Sequence, residues 1–133
     1  MDLDVETLGT GHTEIQTRGL PLGGPLRQAV AVRAGEYRRA FPGFAAGISV
    51  RIFAIAGAAP GLDRGCLVCA TRTVGGDPLV ASEISGDPAR AVHGAFGKLE
   101  AQTRALLARR REGLVPTIRR AAGEQPKGLS AGA

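Results

Sequence analysis

The 133-residue chain has no tryptophan, one tyrosine and four phenylalanines, so aromatics make up only 4% of it. With so few large rings, a core has to be assembled from Val, Ile, Leu and Ala. Two cysteines cannot form the disulfide framework of a small secreted domain, nor supply a four-thiolate zinc site. No apolar run approaches the roughly 20 residues of a membrane-crossing helix. The opening Met-Asp-Leu-Asp is the reverse of the basic start of a secretory signal. These absences predict a soluble cytoplasmic protein without a membrane partner. Twenty glycines and eight prolines, irregularly placed, exclude collagen and coiled coil, and 44% apolar residues exclude full disorder.

Lysine is scarce as well, since 15 of the 17 basic residues are arginine. The net charge is +5, but it is unevenly spread. Residues 1–17 carry Asp2, Asp4, Glu6 and Glu14 and no basic residue, giving −4 and leaving +9 for the remainder. A domain this basic suits a polyanionic partner.

Residues 1–12 are acidic and broken by Gly9 and Gly11, which predicts a flexible N-terminal extension. Thr13–Thr17 alternates as a short strand, and Pro21, Gly23 and Gly24 mark a turn. Leu26, Val30, Ala34, Tyr37 and Phe41 then recur at spacings of three and four, a helical stripe entered at Pro25 and ended by Pro42-Gly43. Arg33 falls close to that stripe, so its stem is expected to pack while its guanidinium reaches solvent. Gly47–Ile55, Gly65–Thr73 and Pro78–Ser85 read as three strands, the last two joined by a Gly75-Gly76-Asp77 turn. Asp87-Pro88 is a helix start, and Val92, Ala95, Phe96, Leu99, Thr103 and Leu106 carry a helix to about residue 111. Residues 112–133, rich in Gly and Pro, are expected to be a disordered tail.

The order β-α-β-β-β-α predicts an α+β two-layer sandwich, a four-stranded mixed sheet with both helices on one face. Residues 13–111 form this domain.

Chemistry finds little purchase. Cys66 and Cys69 make a CxxC, but no second pair exists, and three residues apart on a strand places side chains on opposite faces. A redox pair needs a helix N-terminus to acidify its thiol, which a mid-strand site lacks. His93 lies alone on the last helix and His12 in the extension, and no hydrolase, zinc-protease or P-loop motif is present. No catalytic residue, metal site or cofactor is expected. The basic residues form the better constellation. Arg90, Lys98, Arg104, Arg109, Arg110 and Arg111 face only Glu100 between residues 88 and 111, and Arg27, Arg38 and Arg39 lie on the first helix. Neighbouring helices with basic outer faces form a plate suited to RNA phosphates, although a merely solvated arginine-rich face has the same composition. Strand aromatics reduce to Phe53, which disfavours readers of single strands.

Three segments also resemble one family. Ile15-Gln16-Thr17-Arg18-Gly19-Leu20-Pro21-Leu22 with Leu26-Arg27, Asp63-Arg64-Gly65-Cys66, and Ala91-Val92-His93-Gly94-Ala95-Phe96-Gly97-Lys98-Leu99-Glu100 are similar to the hibernation-promoting factor and ribosome-associated inhibitor A family, short form. The resemblance spans about residues 13–111 and implies a fold like that of double-stranded RNA-binding domains. It implies a non-enzymatic inhibitor bound to small-subunit rRNA in the tRNA and mRNA channel, silencing idle ribosomes under stress or in stationary phase. It matches Arg27 and Lys98 to RNA-binding positions, and Arg104, Arg109, Arg110 and Arg111 to the basic part of the last helix; the basic plate adds Arg38. The chain departs from the family at Pro88-Ala89, where an aromatic is usual, at His93 for Asp, and at Ala101 for Arg. A monomer off the ribosome, without a DNA partner, is expected. The alternatives are a structured-RNA-binding module acting off the ribosome and, from another class, a thiol-redox protein using Cys66 and Cys69.

Overall fold

The computed structural model describes residues 3–8, 13–73 and 75–121; the side chains of 3–6, 8 and 111–121 are not among them. The elements are β1 (Leu3–Leu8), β2 (Thr13–Arg18), α1 (Gly24–Ala40), a short 3-10 turn (Pro42–Phe44), β3 (Gly47–Ala54), β4 (Arg64–Thr71), β5 (Leu79–Ser85) and α2 (Pro88–Ala121). The sheet runs in the order β1-β2-β3-β4-β5. β2 and β3 pair in parallel across the α1 crossover, and every other neighbouring pair is antiparallel. The α+β sandwich with a mixed sheet is therefore present, β2 to β5 being the four predicted strands.

Two boundaries differ from expectation. Residues 3–8 are not a flexible extension but the edge strand β1, with Leu3 opposite Arg18 and Leu8 opposite Thr13. The free edge of β2 offers unpaired backbone groups, and a preceding hairpin arm is the nearest segment to satisfy them. The helix predicted to stop near residue 111 continues to Ala121 through Gly113 and Pro116. Propagating an existing helix is far easier than nucleating one, and one proline removes only one backbone bond. The part of the predicted tail beyond Ala121 lies outside the described residues. The chain divides into two units, Met1–Thr103 and Arg104–Ala133. The sandwich belongs to the first.

Its core follows from strand alternation. Ile15, Val50, Val68 and Ala81 stand opposite one another across β2, β3, β4 and β5, and all are buried. Thr17, Ile52 and Cys66 form the next buried row. The helices cover this face with Leu26, Val30, Ala34 and Tyr37 from α1, and Val92, Ala95, Phe96, Leu99 and Thr103 from α2. Asp87 caps α2, its Oδ2 accepting from the Arg90 N–H at 3.3 Å, with Pro88 opening the first turn. α1 begins after Gly23 without a side-chain cap.

The two helices run parallel, because Arg33 reaches Glu100 and Tyr37, one turn later, reaches Thr103. Thr103 donates its hydroxyl hydrogen to the Leu99 carbonyl at 2.8 Å. Tyr37 must therefore donate to Thr103 Oγ1 across the seam, at 2.9 Å. Burial pushes the Tyr37 phenol above its ordinary value, and the Glu100 charge pushes the same way; the Thr103 contact and Arg72 oppose them.

Candidate nucleic-acid interface

Arg33 organises the seam between the helices. Its guanidinium pairs with Glu100 at 3.0 Å and with Glu36 at 3.4 Å, and stands 5.9 Å from the centre of the Phe96 ring. The guanidinium, expected to reach solvent, does so only at its edge: the side chain is 17% exposed, Nε is buried, and Nη1 lies 3.5 Å from Nδ1 of the exposed His93 ring. Phe96 provides a stacking surface and two carboxylates flank it, so the charge is more stable in the seam than outside. As a consequence, Glu36 of α1 and Glu100 of α2 are drawn onto one arginine.

Lys98 is engaged too. Its Nζ lies 2.6 Å from Glu83 Oε1 on β5 and donates to the Ser82 carbonyl at 3.1 Å. Gly94 makes room for this arrangement, since a Cβ there would come within 2.6 Å of the Glu83 side chain. Lys98 is thus a charge-balanced bridge between α2 and the sheet edge, although it remains solvent-exposed.

The other expected residues do not form one plate in the first unit. At 3.6 residues per turn, Arg27 and Arg38 lie roughly 120–140° round α1 from Arg33, on the flank turned away from α2. Both are half-buried, and Arg38 Nη2 is buried without a hydrogen-bond partner among the described residues. Arg38 and Arg39 occupy the last turn of α1, where cations favour the negative end of the helix dipole. Arg39 and Arg90 are exposed and have no ion pair among the described residues.

The second unit is helical from Arg104 to Ala121. Arg104, Arg109 and Arg110 are exposed there. Helical phase separates any two of them by roughly 100° or more, so they fan around the axis instead of lining one stripe. The Arg111 side chain lies outside the described residues. Sequence reasoning missed the seam role of Arg33 and the pairing of Lys98. Glu83 facing Lys98 needs the register of β5, which no local pattern carries.

Cys66 is fully buried on the helix side, while Cys69, half-buried, points to the other face, and both are free thiols. Burial pushes the Cys66 thiol from an ordinary 9.0 up to about 12. The folded state then holds this proton more tightly than the unfolded one. Stability is fully present below about pH 9 and falls as pH rises toward 12, by up to roughly 4 kcal/mol. Urea denaturation at pH 7, 9 and 10.5 should show a decline that Cys66→Ala makes shallower, with Tyr37 supplying the remainder. An unchanged slope in that variant would refute the buried-thiol account.

Among the described residues, no cluster of three or more His, Cys, Asp or Glu could hold a metal ion, and no helix is long and apolar enough to cross a membrane. No family model matches the chain, and no curated protein matches it. The fold defines a small α+β sandwich with an open sheet face and a helical face whose unbalanced charge is positive.

Proposed function

We propose that this chain is a ribosome-associated translation inhibitor, a hibernation factor that docks on small-subunit rRNA and occludes the tRNA and mRNA channel. One observation carries the reading: the helical acids whose side chains are described, Glu36 and Glu100, are paired with Arg33 while arginines remain outside. Glu36 and Glu100 both pair with Arg33, and Arg39, Arg90, Arg104 and Arg109 are exposed with no ion pair among the described residues. Exposed cations without an ion-pair partner attract phosphates in proportion to their number. From β2 to α2 the chain follows the β-α-β-β-β-α plan of the resembled family, which supports the same reading and shape-and-phosphate recognition of structured RNA.

Inhibition would need no chemistry: bulk and charge in the channel suffice, without cofactor and in the cytoplasm. The test is sedimentation of stationary-phase lysate at low salt. The protein is expected to travel with the small subunit or whole ribosomes and to be released as salt rises. If it stays at the top of the gradient, the ribosomal assignment falls.

A further inference from the structure

The helices leave the other face of the sheet open, and that face carries a site of its own. A hollow of about 450 Å³ lies there, lined by Gln16, Arg18, Arg51, Phe53 and Leu67 among others. That volume falls within the range of small-ligand sites. The register explains the arrangement. Arg18 stands beside Phe53, and Phe53 stands opposite Gly65; one step along, Gln16 stands beside Arg51, and Arg51 opposite Leu67. Neighbouring strands are about 4.8 Å apart, so Arg18 stands within side-chain reach of Phe53, and Arg51, two residues earlier on the same strand and face, stands roughly 7 Å along it.

Gly65 is what lets the ring lie where it does. A Cβ at that position would come within 2.5 Å of the Phe53 ring, so any larger residue would lift the ring from the sheet. The ring rests over the bare backbone of Gly65 and remains partly exposed. Arg18 and Arg51 are both exposed beside it. Gln16 adds a side-chain amide able to donate and accept.

A π-surface, two guanidinium groups and an amide in one hollow match a base, a phosphate and a base edge. We infer that the open sheet face binds a single unpaired nucleotide of an RNA strand, its base stacked on Phe53 and its phosphate held by Arg18 and Arg51. One ring accommodates one base. The site is therefore a one-nucleotide pocket and not a track for a long single strand. It lies on the face opposite the helices and does not depend on ribosome binding by them. An acidic peptide would satisfy the arginines but leave the ring without a partner, which favours the nucleotide.

Pentaadenylate is the probe, followed by amide shifts of the isotope-labelled full chain. Signals of Gln16, Arg18, Arg51, Phe53 and Leu67 should move together. Phe53→Leu should weaken binding roughly 5- to 100-fold, as loss of a base–aromatic stack does, while Phe53→Tyr should retain it. Arg51→Gln, at an exposed position, should keep the fold and flatten the log–log salt dependence by about 0.7. Thus it tests the site even if Phe53→Leu is poorly folded. Shifts confined to the helices, or affinity unchanged in both Phe53→Leu and Arg51→Gln, would overturn the site. So would an aspartate decapeptide that binds as tightly and ignores Phe53. Ribosomes are absent from this titration, so its outcome is separate from that of the sedimentation test.

Discussion

Val92→Asp is expected to leave the first unit without a cooperative unfolding transition at 25 °C. Val92 is fully buried on α2 beside Ala91, Ala95, Phe96 and Leu99, which are also fully buried. A carboxylate there is stripped of water and meets no donor among those neighbours. Such a change costs on the order of 4–5 kcal/mol or more, comparable with the whole stability of a small domain. The apolar control, Val92→Ala, should lose about 2 kcal/mol and still melt as one transition. Thermal melts followed by far-ultraviolet circular dichroism decide between them. An aspartate variant melting within a few degrees of the parent would mean that α2 does not pack on the sheet.

The second large effect concerns binding. Replacing Arg90, Arg104 and Arg109 together by alanine should lower ribosome affinity on the order of 100-fold near physiological salt, with the melting temperature held within a few degrees. All three side chains are exposed, so little packing is lost. Each phosphate contact removed should flatten the log–log salt dependence by about one unit. Because the arginines of the second unit fan around the helix, the total change in slope should fall short of three. Lys98→Ala should behave differently. Its charge is already balanced by Glu83, so its removal uncovers an acid instead of erasing a free cation, and affinity should change only a few-fold. Equal losses from Lys98→Ala and from the triple variant, measured by pelleting across a salt series, would contradict this division of roles.

Part of the molecule was legible locally. The spacing of Leu26, Val30, Ala34 and Tyr37 marked the buried face of α1, and all four are buried. Alternation in β3 puts Ile48, Val50 and Ile52 on one side and Arg51 on the other; the first three are buried and Arg51 is exposed. Asp87-Pro88 announced the start of α2 because capping and ring geometry are properties of two adjacent residues. The faces of Cys66 and Cys69 followed from strand periodicity alone.

Residues 3–8 were harder. Leu3, Val5 and Leu8 are interspersed with Asp4 and Glu6, and the acidic composition outweighed that weak alternation. Edge strands tolerate charge because one side of their backbone is unpaired, and charge there discourages further strand addition. Whether such a segment pairs depends on a free neighbouring edge, which is not a property of the segment. The end of α2 was misplaced for a related reason: Gly113 and Pro116 are stop signals on average, and an already growing helix can pass them.

Composition and periodicity by themselves determined the order of elements from β2 to α2, the buried faces of the helices and the excess of arginine, since each depends on neighbours within a few positions. Tertiary structure alone decided which of those charges remain unbalanced. Ion pairs form between residues far apart in the chain, such as Arg33 with Glu100 and Lys98 with Glu83, and Coulomb attraction acts on distance in space. The hollow beside Phe53 has the same origin, because it exists only where β2, β3 and β4 meet in one register and Gly65 leaves the ring its place.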